Sequence, residues 1–248
     1  TVKIGRDQQV KYPEAFTMPS DKETLALFNL ARSLGINCLD TAPAYGRSEE
    51  RIGEILGSQT KDWVICTKVG EEFINGESHF DFTPEHTRFS VERSLKRLHR
   101  DELDIVLIHS DGNDLDIINH QGTLEVLAEL KKAGLIRAFG MSTKTIEGGI
   151  KALELSDVVM ATYNLNYNDE LPVLDYAATH NKGIFIKKAL ASGHLDKDKY
   201  SDPIKASMEL TFSHPGASSI TIGTINTNHL INNVEIALEI LNNINIKQ

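Results

Sequence analysis

The sequence predicts a single-domain (β/α)8 barrel over residues 1–248, and three observations carry that prediction. Short apolar strand patterns alternate with longer helical ones about eight times, with no break in composition that would mark a second domain. The length, 248 residues, suits one such barrel. No GxGxxG follows an early strand, which disfavours an open doubly wound sheet.

The opening TVKIG reads as the end of a first strand whose beginning lies ahead of Thr1, followed by a loop through Pro19. Ser20 or Asp21 can cap a helix whose apolar face is Leu25, Phe28, Leu30 and Leu34, with Gly35 as its stop. Within residues 35–56, GINCLDTAPAYGRSEERIGEIL, the alternation of Ile36, Cys38 and Asp40 gives a strand that delivers Asp40 to its carboxyl end. A short loop then carries Tyr45. Gly46 lets the backbone turn, Ser48 is placed to cap a helix that buries Ile52, Ile55 and Leu56, and Gly57 ends it.

Residues 63–68 (WVICTK) form a third strand ending on Lys68, and a polar loop runs on to Phe82. Thr83-Pro84-Glu85 starts a helix that turns Val91, Leu95 and Leu98 inward. The fourth strand, LDIVLIH, ends on His109; the loop after it, with Asp111 and Asp114, reads as a solvated turn before a helix over 121–133 stopped by Gly134. Further strands fall at 136–142, 158–162, 184–187 and 219–222, with helical patterns between them.

A net charge of -9 without a clustered Lys/Arg run excludes nucleic acid and anionic membranes as main partners. No apolar run reaches bilayer-spanning length and no signal-peptide segment opens the chain, so a cytosolic location is the expectation. Cys38 and Cys66 read as reduced interior side chains. His79, His86, His99, His120, His180 and His214 fit no metal-ligand spacing, and no metal is expected.

Strand periodicity puts Asp40 on one face with Cys38, Lys68 with Cys66 and Val64, and His109 with Leu107 and Ile105. In a closed sheet these faces are layers of the interior, and the top layer is Asp40, Lys68 and His109 with Tyr45 arriving from the loop above. Asp40 and Lys68 compensate each other's desolvation. An ammonium beside a phenol favours phenolate, so the Tyr45 pKa is expected below its free value of about 10. His109 can donate to the oxygen that Tyr45 protonates, and together they would polarise a carbonyl that takes hydride on carbon and a proton on oxygen.

With these residues in view, the sequence resembles the aldo-keto reductase superfamily over nearly its whole length. LDTAPAYGRSEERIGEIL looks like the family's Asp-and-Tyr signature, ICTKVG like its lysine strand, LDIVLIH like its histidine strand, and GLIRAFGMS like the segment after helix four. The resemblance implies a TIM barrel and a catalytic tetrad of Asp40, Tyr45, Lys68 and His109. It also implies NADPH, with NADH as the alternative, extended across the carboxyl face. Cofactor contacts carried over by position are Ser142 with its neighbour Thr143, Met160 in place of the usual Gln, and Lys187 in place of the stacking aromatic. There the alkyl stem would cover the ring while the ammonium reaches a phosphate. Leu190, Ser192 and Gly193 fall on the pyrophosphate loop. Ile222, Gly223, Thr224, Asn226, His229, Asn232 and Asn233 fall on the adenosine-phosphate site, where the family's usual Lys and Arg are replaced by Gly223 and His229.

The implied reaction is reduction of a small-molecule aldehyde or ketone by a monomeric enzyme, in a pocket built from the loops after Lys68 and His109 and the tail ending at Gln248. Two other classes stand beside it. One is a cofactor-sensing or regulatory barrel with slow turnover. The other is a metal-dependent barrel hydrolase, which the absence of an HxH pair on an early strand disfavours.

Overall fold

The structure, a computed structural model, describes residues 1–10, 12–13, 15–195 and 199–245. The end of the tail, 246–248, lies outside the described residues. In chain order, Val2–Gly5 is a single helical turn (α1), and α2 (Asp21–Ser33) leads into β1 (Cys38–Asp40). Then come α3 (Ser48–Leu56), β2 (Val64–Val69), a hairpin of β3 (Glu71–Ile74) and β4 (Glu77–Phe80), and α4 (Pro84–Arg97). The second half runs β5 (Leu103–His109), α5 (Asp114–His120), α6 (Thr123–Lys132), β6 (Ile136–Ser142), α7 (Ile146–Leu155), β7 (Val158–Thr162), α8 (Leu171–His180), β8 (Gly183–Lys187), α9 (Pro203–Phe212), β9 (Ser219–Ile220) and α10 (Thr227–Asn245).

Seven parallel strands form one sheet in the order β1-β2-β5-β6-β7-β8-β9. The helices between successive strands make each connection a crossover, the layout of a curled (β/α)8 sheet. No ladder joins β1 to β9 among the described residues. The strand expected at TVKIG is instead the turn α1. Thr1 Oγ1 donates to the Asp40 carbonyl at 2.8 Å, so the segment crosses the carboxyl end of the sheet. Gly5 lies so close to Tyr45 that a Cβ there would meet its carbonyl oxygen at 1.9 Å.

Alternation along the strands sorts the core into two layers. Cys66, Leu107, Val158, Met160 and Phe185, with Cys38 and Ile105, pack together on the concave side. Ile65, Val106, Ile108, Met141, Val159, Ile184 and Ile186 face the helices. The interior layers expected for β1, β2 and β5 are therefore present. Both cysteines are free, and burial pushes the Cys38 thiol up to about 12.

Three local expectations are corrected. The polar loop after Lys68 is a hairpin, because Asn75 and Gly76 adopt φ of 53° and 87° and so supply the left-handed pair a tight two-residue turn needs. Ser48 is the first helical residue of α3, and its hydroxyl donates to Thr1 Oγ1 at 2.6 Å rather than capping the helix. Asp114 is almost fully buried, not solvated: its carboxylate accepts from the Lys144 and Thr145 amides at 2.8 and 2.7 Å and ties the loop after β6 to α5. Asp111 does sit in an exposed turn, accepting from the Asn113 amide at 2.8 Å.

Candidate active site

Parallel register fixes the mouth of the sheet. Asp40 lies opposite Cys66, so Lys68, two residues on, rises beside it; Lys68 lies opposite Leu107, so His109 rises beside Lys68. Lys68 Nζ donates to Asp40 Oδ1 at 2.5 Å and to the Thr41 carbonyl at 2.9 Å, and its side chain is 1% exposed. Burial works against its charge, but Asp40 and Tyr45 outweigh that and hold its pKa above the free value. Lys68 is therefore an ammonium at neutral pH.

Tyr45 closes the group from above. Its ring centre is 4.8 Å from Lys68 Nζ, and it meets the His109 ring edge-on with centroids 6.2 Å apart. Here one expectation fails. Burial raises the Tyr45 pKa above its ordinary value, and although Lys68 pulls it down, burial wins. The ammonium limits the upward shift instead of producing a downward one.

His109 carries a partner that sequence reasoning missed. Its Nδ1 stands 2.6 Å from Glu71 Oε2, in a close but bent contact. Burial, aided by Lys68 and Lys187, lowers the imidazole pKa against the pull of Glu71. Glu71 loses some of its acidity to burial, yet His109, Ser78 and Arg6 together hold its carboxyl at about 2.

The cofactor positions are more scattered. Ser142 ends β6 directly opposite His109, and Met160, its neighbour on β7, is buried in the concave apolar layer. Thr143 turns its hydroxyl toward the Gly149 side of α7, where Oγ1 is buried without a partner. Lys187 ends β8 and reaches inward: Nζ donates to Ser142 Oγ at 3.1 Å and to the Thr143 carbonyl at 2.6 Å. It is thus directed at the mouth and not outward to a phosphate. Burial drops its pKa to about 8 against the attraction of Glu170. The loop with Leu190, Ser192 and Gly193 bends back on itself, its Gly193 amide bonding the Leu190 carbonyl at 2.8 Å. Of the last group, Ile222 packs against the cluster of Met208, Ile236 and Ile240, Gly223 lies close to the Tyr12 hydroxyl, and Thr224 Oγ1 accepts from the Asn226 amide at 3.1 Å. Asn226 Oδ1 accepts from the amides of Asn228 and His229 at 2.9 and 3.2 Å and so caps α10. His229 and Asn232 are exposed, while Asn233 is turned into the protein.

The family model for the aldo/keto reductases matches residues 9–243. The chain belongs to the aldo/keto reductase family. A solved structure assigned to the aldo-keto reductases from Pseudomonas aeruginosa shares 54% identity with it, at a TM-score of 0.89, covering 97% of this chain and 88% of that one. The oxidoreductase YqkF of Bacillus subtilis is 29% identical over 77% of this chain, and yeast D-arabinose 1-dehydrogenase is 37% identical over 49%. The chain spans 64% of the length of the first and 36% of the second.

Membership implies a nicotinamide dinucleotide. The mouth suits its amide-bearing ring: Lys187 offers N–H donors, and the Ser142 hydroxyl both donates and accepts, matching the two ends of a carboxamide. Besides Glu71, sequence reasoning missed Glu170, a buried carboxylate near Lys187 with one oxygen lacking a partner, and Arg6, stacked on Phe73 at 3.9 Å. The acidic pair opening the loop after Lys68 is the signal that could have found Glu71. Glu170 and Arg6 lie in loops whose positions no periodicity encodes.

Proposed function

We propose that this family member reduces the carbonyl of a small aldehyde or ketone to an alcohol, with NADPH as the preferred cofactor and NADH as a usable alternative. The observation that carries the reading is the buried Lys68–Asp40 pair directly beneath Tyr45, with His109 at the ring edge of the phenol. The curated relatives above are named as an oxidoreductase and a sugar dehydrogenase, which favours a small polar substrate.

The bound dinucleotide would supply the hydride; Ser142 and Lys187 are the residues that would hold its carboxamide. Tyr45 gives its proton to the oxygen that becomes the alcohol, and the phenolate left behind is stabilised by the Lys68 ammonium. Asp40 keeps Lys68 charged and aimed upward. His109 lines the same oxygen from the other side. A pKa raised by burial suits Tyr45 to holding its proton until charge develops on the substrate.

The test is Tyr45→Phe. Turnover of an aldehyde panel falls about 10²–10⁴-fold, the range for a lost general acid, while NADPH and NADH titrations followed by fluorescence are unchanged. Full turnover in that variant refutes the reading. If both cofactors bind and no aldehyde or ketone is reduced even by the natural protein, the slow-turnover sensing role takes its place.

A further inference from the structure

Glu71 has no place in the tetrad, yet it stands in contact with it. Gly70, at φ 97°, swings the chain out of β2 and back across the mouth, and β3 then presents Glu71 to the end of β5. The carboxylate is held from its far side: Ser78, across the hairpin, donates to Oε1 at 2.7 Å, and the Arg6 guanidinium lies close enough to favour its charge. Both ends of the contact are shielded, with the Glu71 and His109 side chains 12% and 21% exposed.

We infer that Glu71 is a positioning residue for His109: its carboxylate keeps the ring proton on Nδ1, leaving Nε2 as the atom offered to the substrate oxygen, and it balances the imidazolium when the ring is charged. The inference rests on the carbonyl-reduction reading for its consequence in catalysis. Nδ1 is buried, and Glu71 Oε2 at 2.6 Å is the acceptor within reach. A bare Nδ1 there would set lone pair against lone pair, so the proton belongs on that nitrogen.

A chemical consequence follows. The neutral ring, proton on Nδ1, presents Nε2 as an acceptor; only the doubly protonated ring donates to a carbonyl oxygen. The sequence-based expectation of a donating His109 thus applies to the imidazolium alone. The charged and titratable groups facing it are Glu71 on the hairpin, Lys68 on β2, Lys187 on β8 and Tyr45 on the loop after β1, with Arg6 behind Glu71. Among these, Glu71 is the group that favours protonation of His109, against both lysines and burial.

The experiment is nitrogen-15 NMR of His109 across pH in the full chain, with Glu71→Gln and Glu71→Ala beside it and kcat profiles on the same samples. The natural protein shows the Nδ1–H pattern for neutral His109. Glu71→Gln, whose amide oxygen can accept from Nδ1–H while its NH2 donates to the Ser78 hydroxyl, keeps that tautomer but titrates His109 at lower pH, and the fall in kcat as pH rises through the His109 pKa moves down with it. Glu71→Ala populates the Nε2–H tautomer and loses about 10- to 100-fold in kcat, as removal of a ring-orienting partner does elsewhere. NADPH affinity is unchanged in both. An Nε2–H tautomer in the natural protein, or identical His109 titration in all three proteins, overturns the inference. Those spectra are independent of turnover, so a fully active Tyr45→Phe would remove the reductase reading without touching this result.

Discussion

The two sides of the mouth are built on different principles. On the β1–β2–β5 side every buried charge has an opposite close by: Lys68 has Asp40 at 2.5 Å, and His109 has Glu71 at 2.6 Å. On the β8–β9–α10 side Lys187 bonds a hydroxyl and a carbonyl, and the loop expected to meet a phosphate satisfies its own helix through Asn226. Paired charges in a low-dielectric site hold geometry before any ligand arrives. A cation with only neutral hydrogen-bond partners and a more distant carboxylate is free to change partner or protonation state when one does. On the proposed reading, the first side would hold the reacting atoms and the second would admit the cofactor.

The largest test of that contrast is Lys68→Met. Removing one member of a buried pair leaves an uncompensated carboxylate, a loss of about 3–5 kcal/mol. Urea unfolding measures it, and a midpoint unmoved within error would mean that the pair holds nothing together. The same variant removes the cation that restrains the Tyr45 pKa, so ultraviolet titration should place phenolate formation at still higher pH.

Lys187 gives a smaller effect with its own sign. Its pKa is about 8 in the folded protein and 10.5 in the free side chain, so between those values the unfolded chain binds more protons. Its contribution to stability therefore rises as pH increases through that window. Urea unfolding of the natural protein and Lys187→Met at about pH 7.5 and about pH 10.5 should show the natural protein gaining on the variant by roughly 1–2 kcal/mol, discounted for partial solvent screening. Lys68, whose folded pKa is raised, contributes with the opposite sign: its stability is present below the unfolded pKa and lost only as pH climbs through the folded one. A flat difference for Lys187 would place its ammonium in water and erase the distinction between the two sides.

The same contrast explains what the sequence made legible. Asp40, Lys68 and His109 end strands, and a strand's period of two announces which residues share their face, so the layers beneath them followed from Cys38, Cys66 and Leu107. Tyr45 was marked by its loop between strand and helix. Glu71 was hidden because it sits on a hairpin whose signal, Asn75-Gly76, is two residues long inside a stretch that otherwise reads as polar loop. Asp114 was misread because an aspartate in a loop has the same local pattern whether it faces water or caps buried amides. The direction of Tyr45's shift was missed for a third reason: sequence names the neighbouring charge but not the depth of burial, and here burial is the larger influence.

The smallest test addresses the α10 end. Asn226 accepts from the amides of Asn228 and His229, so it answers two of the donors that a helix start leaves open. Asn226→Ala should cost about 1 kcal/mol of stability, and Asn226→Asp should cost little, since a carboxylate accepts the same bonds and suits the positive end of the helix. If Asn226 serves only the helix, the two variants order the same way in NADPH and NADH affinity as in stability, and the ratio between cofactors stays constant. If its amide N–H groups instead meet a 2'-phosphate, Asn226→Asp weakens NADPH through charge repulsion and leaves NADH unmoved. That single ratio, measured by fluorescence titration, decides whether the loop after β9 discriminates between cofactors or merely starts a helix.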